Sequence, residues 1–213
     1  MLDFDLKWAS NRRQFIASVL SGGTFLCLGG GKLFALAKLE GEQKTVSSEH
    51  KFLVNSDMSF KEVCEFAFIG WYIPHMLNLA NAIGKKEFIQ LLKEAASKSA
   101  AHWWGKQVKS LSSNDFATFK AYFKRLGEER LWRHVQTREI VEETEMSIEA
   151  RFTECLFAET FRSAGTSDIG YAAFCYPDFA GFNAFNSKIQ LRLTKTLMQG
   201  HDCCNHHFTW GEK

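Results

Sequence analysis

The apolar residues of this chain change period part-way along it, and that change restricts the fold more than any single motif. From Ser59 to about residue 125 they recur at helical spacing. Beyond Glu145 they alternate, one side chain in and the next out. Helices followed by half-buried strands predict an α+β fold, with helices covering one face of a small antiparallel sheet.

Within the helical half, Ser59 and Glu62 stand at capping-box spacing, ahead of Val63, Phe66, Ala67 and Gly70 on one face. Pro74 lacks an amide hydrogen and is expected to kink or end this helix. Met76 to Ile83 continues the pattern into Gly84. Lys86 to Trp104 then carries Phe88, Leu91, Leu92, Ala95 and Ala96 on one stripe, and Asn114 or Asp115 starts a short helix over about 114–125. His75 and His102 stand beside large apolar residues, which reads as satisfied core or boundary histidines. Trp103 and Trp104 read as core, and Arg125, Arg130 and Arg133 around Trp132 as a solvated helix face.

In the second half, Met146, Ile148, Ala150 and Phe152 share one strand face, with charged residues opposite. A short helix, about Leu156 to Ala164, leads to Gly165. A second, about Ile169 to Phe182, carries Cys175 and Asp178 and is expected to be distorted at Pro177. Ile189, Leu191 and Leu193 form a strand face. After the turn Gln199 to Asp202, a last strand runs Cys204 to Trp210, with Cys204, His206, Phe208 and Trp210 on one side. These last two strands are close enough to make an antiparallel hairpin. The order is β-α-α-β-β within one domain, 58–213, divided into a helical part, 58–140, and a mixed, cysteine-containing part, 141–213.

A chain of 213 residues, 46% hydrophobic, has material for one well-packed core but not for two large ones. With 26 Lys+Arg against 24 Asp+Glu, the net charge of +2 shows no cationic excess, so no nucleic-acid partner is expected. Residues 1–37 have the layout of an export signal. Arg12-Arg13 is followed by Gln14-Phe15-Ile16, an apolar glycine-containing run to Gly31, and the small-residue site Ala35-Leu36-Ala37. The arginine pair resembles a twin-arginine signal, which implies passage through that export machinery into a bacterial periplasm. The apolar run is short against the ~20 residues of a membrane span, so no stable span is expected once the signal is removed. The mature chain is then expected to begin near Lys38, with a polar lead over 38–57.

Removal of Cys27 with the signal leaves Cys64, Cys155, Cys175, Cys203 and Cys204, an odd number that cannot pair completely within one chain. An exported setting permits a disulfide, Cys155–Cys175 or Cys175–Cys204; metal ligation and thiol chemistry stay open beside it. Cys155 follows the first strand, Cys175 sits in the second helix, and Cys204 opens the last strand. Asp178 lies one helical turn after Cys175, and His206 shares a strand face with Cys204. A pocket between helices and hairpin that collected these five would offer two chemistries. Cys155, Cys175, Cys204 and His206 would form a closed site for zinc or another divalent metal. A cysteine beside a carboxylate and an imidazole would be an activated nucleophile. The competing view is that Cys155 and Cys175 are simply small buried core residues. His201, Cys203 and His207 are read as rim or surface, as is Asp202.

The run RFTECLFAETFRSAG, DIGYAAFCYPDFAGFNAFN and IQLRLTKTLMQGHDCCNHHF resembles the L-2-amino-thiazoline-4-carboxylic acid hydrolase family. The resemblance rests on Cys155 after a strand, the Cys-x-x-Asp of Cys175 and Asp178, Thr194, Thr196, Leu197 and Gly200, then Cys204 and Phe208. It is clearest over about 145–210, with a looser helical match back to about residue 58. It implies hydrolytic opening of a cyclic C–N bond in a thiazoline-carboxylate-like or related cyclic amide or amidine. By position it implies catalytic roles for Cys175, Asp178 and Cys204. The contrasting expectation is a non-catalytic exported module that binds a metal or small ligand through the same Cys/His cluster.

Overall fold

The computed structural model describes residues 59–211, so the export signal, Cys27 and the polar lead lie outside the described residues. Helix α1, Phe60–Ala67, opens on the expected capping box. The Ser59 side chain accepts from the Glu62 amide while the Glu62 carboxylate accepts from the Ser59 amide. The helix does not end at Pro74. Its turns widen into a π turn, Phe68–Tyr72, and continue as α2, Ile73–Ile83. Gly84, at φ +90°, breaks the chain direction before the long α3, Lys85–Val108. Asp115 caps α4, Phe116–Glu128, and α5, Arg130–Val135, is a single short turn and a half.

Helical structure ends at Val135, five residues earlier than expected, and a strand of its own follows. Strand β1, Gln136–Glu143, pairs antiparallel with β2, Ser147–Cys155. Then come α6, Leu156–Ser163, α7, Ser167–Gly170, a second π turn, Tyr171–Cys175, and α8, Pro177–Phe185. Strand β3, Ile189–Leu193, a 3₁₀ turn at Leu197–Gln199, and β4, Cys204–Trp210, close the fold. The order is therefore β-β-α-α-α-β-β, and the sheet runs β1-β2-β4-β3, antiparallel throughout. The α+β class stands as expected. The missed strand sits at a sheet edge, where one side has no neighbour to bury against.

Of the four residues expected on the inner face of β2, Ile148, Ala150 and Phe152 are buried, whereas Met146 stands just before the strand and is exposed. Opposite them in register on β4 stand Phe208, His206 and Cys204. Helices α3, α4 and α8 cover this face. Phe208, fully buried, has ring centroids of Phe182, Phe123 and Phe119 at 4.7, 5.0 and 5.1 Å. A second aromatic group, Phe68, Phe157, Phe161 and Phe174, fastens the α1–α2 arm to α6 and the second π turn. Helix α8 comes close to α3 at Gly181, where a Cβ would stand 2.5 Å from Trp104 Cδ1. Among the described residues no helix is long and apolar enough to cross a membrane. His75 and His102 are exposed rather than core, and His75 stacks on the equally exposed Trp71.

Candidate functional site

Between α3 and the inner face of the sheet lies a cavity of about 180 Å³. Each wall comes from a different part of the chain. The helical wall is Ala96, Ser99, Trp103 and Trp104 of α3 with Trp132 of α5. The floor is Arg138, Phe152, Cys204 and His206 from three adjacent strands. Cys155, at the end of β2, and Cys175 with Asp178, around the start of α8, complete one side. Sites for drug-sized ligands measure roughly 300–1,000 Å³, so this volume suits a small metabolite.

The elements explain why these side chains meet. In β4, alternation sends Cys204 and His206 to the same face as Phe208. Cys155 is the last residue of β2 and the N-cap of α6. Cys175 ends the second π turn and Asp178 stands in the first turn of α8. Across the cavity, His206 Nε2 lies 3.1 Å from Asp178 Oδ2. Because an ionised carboxylate only accepts, Nε2 carries the proton of that bond. That leaves Nδ1 buried and without a hydrogen-bond partner among the described residues.

The three cavity thiols stay protonated at neutral pH. Burial first, then the Asp178 charge, then Cys155 and Cys204, push Cys175 well above the ordinary thiol range. Burial pushes Cys204 up to about 11, although the Leu197 amide, 3.2 Å from its Sγ, pulls the other way. Burial also raises Cys155, partly offset by the Ala158 and Phe157 amides at the start of α6. A nucleophile here must therefore lose its proton as it attacks.

All five described cysteines are free, so neither Cys155–Cys175 nor Cys175–Cys204 is a disulfide. Among the described residues no group of three or more His, Cys, Asp or Glu is arranged to hold a metal ion. The expected set of Cys155, Cys175, Cys204 and His206, for zinc or another divalent ion, lines one cavity without converging on one point. These residues do not fit a metal centre.

Outside the cavity, His201 is exposed, its Nδ1 3.2 Å from the Thr196 amide, and Asp202 is exposed and paired with Lys195. His207 is half-buried on the outer face of β4. Cys203, expected at the rim, is buried and is not among the residues that line the cavity. Sequence reasoning passed over Arg138 and Gln136, both cavity residues, because β1 was not recognised. Trp132, expected among solvated arginines, also faces the cavity.

Residues 61–208 match the model of the L-2-amino-thiazoline-4-carboxylic acid hydrolase family. The chain belongs to that family. No curated protein matches it. The matched segment begins in α1 and ends within β4, so it takes in all the cavity walls. Membership of this family fits a hydrolase acting on a small cyclic molecule.

Proposed function

We propose that this protein hydrolytically opens a small thiazoline-carboxylate-like or related cyclic amide or amidine ring, with Cys175 as nucleophile and Asp178 as its proton partner. The observation that carries the reading is the meeting of Cys175, Asp178, Cys204 and His206, from separate elements, in one small cavity of a family member. Of the three thiols, Cys155 and Cys175 are half-buried where Cys204 is buried, and of those two Cys175 stands one helical turn from a carboxylate. As its Sγ bonds to the ring carbon between two heteroatoms, its proton passes to Asp178. Asp178 then returns that proton to the ring heteroatom whose bond to the carbon breaks. Water attacks the resulting thioester-like carbon, Asp178 taking the water's proton as the S–C bond breaks and returning it to the Cys175 sulfur. His206 is a positioning residue that steadies Asp178, and Cys204 and Cys155 shape the pocket around the reacting carbon.

The test is incubation with 2-amino-thiazoline-4-carboxylate, followed by mass spectrometry for a product heavier by one water. The Cys175→Ala and Asp178→Asn enzymes are run in parallel. Turnover that survives Cys175→Ala unchanged refutes the nucleophile assignment. One observation favours a second reading, a non-catalytic small-ligand pocket: no cavity thiol is ionised at rest. That reading predicts stoichiometric binding of the ring compound and recovery of it unaltered.

Residues 1–37 are proposed to direct folded export by the twin-arginine route to a periplasm, on the strength of Arg12-Arg13, the apolar run and Ala35-Leu36-Ala37. An Arg12→Lys, Arg13→Lys double variant that is exported as well as the parent refutes this.

A further inference from the structure

The cavity has two electrical poles. Among its lining residues Arg138 is the sole Lys or Arg, and Asp178 the sole carboxylate. Arg138 reaches the floor through an irregularity in the sheet. Thr137 pairs with Glu154, but Arg138 pairs with Phe152, so one residue of β2 is skipped. Such a bulge re-aims a side chain; in regular register Arg138 would stand opposite Thr153, whose side is exposed. With the bulge, Arg138, Phe152 and Cys204 form a row across β1, β2 and β4. Two strand spacings separate the ends of the row, roughly 10 Å between α-carbons.

The guanidinium is held in place. Its Nη2 donates to the Phe123 and Lys124 carbonyls at 2.6 and 2.8 Å, and its Cζ lies 4.6 Å from the Phe123 ring centroid. It lies against α4 where residue 127 is glycine; a Cβ there would overlap it. These two bonds use Nη2 alone, and a guanidinium has five N–H donors. Nε and Nη1 make no hydrogen bond or ion pair among the described residues. Burial works against the Arg138 charge, so an anion that reaches it meets a poorly solvated partner.

We propose that Arg138 is the carboxylate-binding and specificity-determining residue of this cavity. It orients a small zwitterionic ring over Phe152, carboxylate toward β1 and amidine-like carbon toward Cys175 and Asp178. This rests on, and sharpens, the hydrolase reading above. An amidine-like pole beside the Asp178 carboxylate and a carboxylate beside Arg138 match the charges of the two walls. The contacts to α4 alone would serve a purely structural arginine, and substrate discrimination separates the two roles.

The experiment compares 2-amino-thiazoline-4-carboxylate with its 4-carboxamide on the parent enzyme, Arg138→Met and Arg138→Lys. The parent is expected to favour the carboxylate in kcat/KM by roughly 10- to 100-fold, the range of a hydrogen-bonded charge pair. In Arg138→Met that preference collapses, through a rise in KM for the carboxylate, while KM for the carboxamide rises far less. Arg138→Lys retains part of it. An equal loss on both substrates, or a parent enzyme without preference, overturns the proposal; the second result needs no variant to fold. If the parent turns over neither compound, the hydrolase reading fails, and binding is read from quenching of the cavity tryptophans. Carboxylate-selective binding lost in Arg138→Met then supports the anion subsite alone, and unselective or absent binding overturns it.

Discussion

Protonation of the cavity thiols has a measurable cost at alkaline pH, and Cys204 gives the clearest case. Its thiol titrates at about 11 in the folded chain against an ordinary 9.0, chiefly through burial. The folded state thus holds this proton more tightly than the unfolded state does. The stabilisation is complete below pH 9 and is lost as pH rises from 9 to about 11. Two units correspond to about 2.7 kcal/mol at the limit, and about half of that, ~1.4 kcal/mol, is gone by pH 10. Urea unfolding in the presence of reductant, at pH 7 and pH 10, measures the loss. The same pair of measurements on Cys204→Ala cancels the lysines, tyrosines and remaining groups common to both proteins. The pH-independent packing penalty of the substitution cancels as well. The variant is expected to lose ~1.4 kcal/mol less between the two pH values than the parent. Equal losses, within ~0.3 kcal/mol, would mean that Cys204 is not desolvated, and would refute the burial argument for a protonated thiol at this wall of the cavity.

Asp178→Asn is expected to lower kcat by roughly 10²–10⁴ while making Cys175 alkylation at pH 8 faster, because the carboxylate raises that thiol. Slower alkylation by iodoacetamide, followed by mass spectrometry, would contradict the assignment. Gly181→Ala drives a methyl into Trp104 and is expected to cost roughly 1–3 kcal/mol in urea; a change below 0.5 kcal/mol (roughly, within the range of ordinary surface changes) speaks against the close α3–α8 approach. Phe208→Ala, at the fully buried centre of the ring cluster, is expected to cost roughly 3–5 kcal/mol by the same measurement.

What could be read from residues alone follows burial. Strands β2 and β4 are flanked on both sides by partners, so their inward residues must be apolar or site-forming, and the alternation was plain from Ile148 to Phe152 and from Cys204 to Phe208. Cys175 and Asp178 were legible because one helical turn separates them. Strand β1 was not. It has one neighbour, and its inner face offers Arg138 and Ile140 among the charges of Glu139, Glu142 and Glu143. An inward arginine reads as polar surface, so the residue that gives the cavity its positive pole hid the strand that carries it. Trp132 was misplaced for a related reason: exposed arginines flank it on a helix too short to show a period.

The two prolines of the chain explain a part of the site that no motif describes. Each stands two residues after a π turn, Pro74 after Phe68–Tyr72 and Pro177 after Tyr171–Cys175. In both cases the residue just before the proline donates five residues back, Ile73 to Phe68 and Tyr176 to Tyr171. A proline in an ordinary helix loses one bond and presses its ring on the carbonyl four residues earlier, which kinks or breaks the helix. Widening the preceding turn by one residue relieves that pressure, and the helix continues. At Pro74 the consequence is only that α1 and α2 form one arm. At Pro177 the extra residue falls immediately before the site. It shifts every side chain ahead of the proline by about 100° relative to those after it, the rotation of one residue at 3.6 per turn. Cys175 stands at the end of the widened turn and Asp178 just past it, so their relative direction is set by the π turn as well as by their spacing. Pro177 therefore bears on the geometry of the candidate site by fixing where the helix on either side of it points.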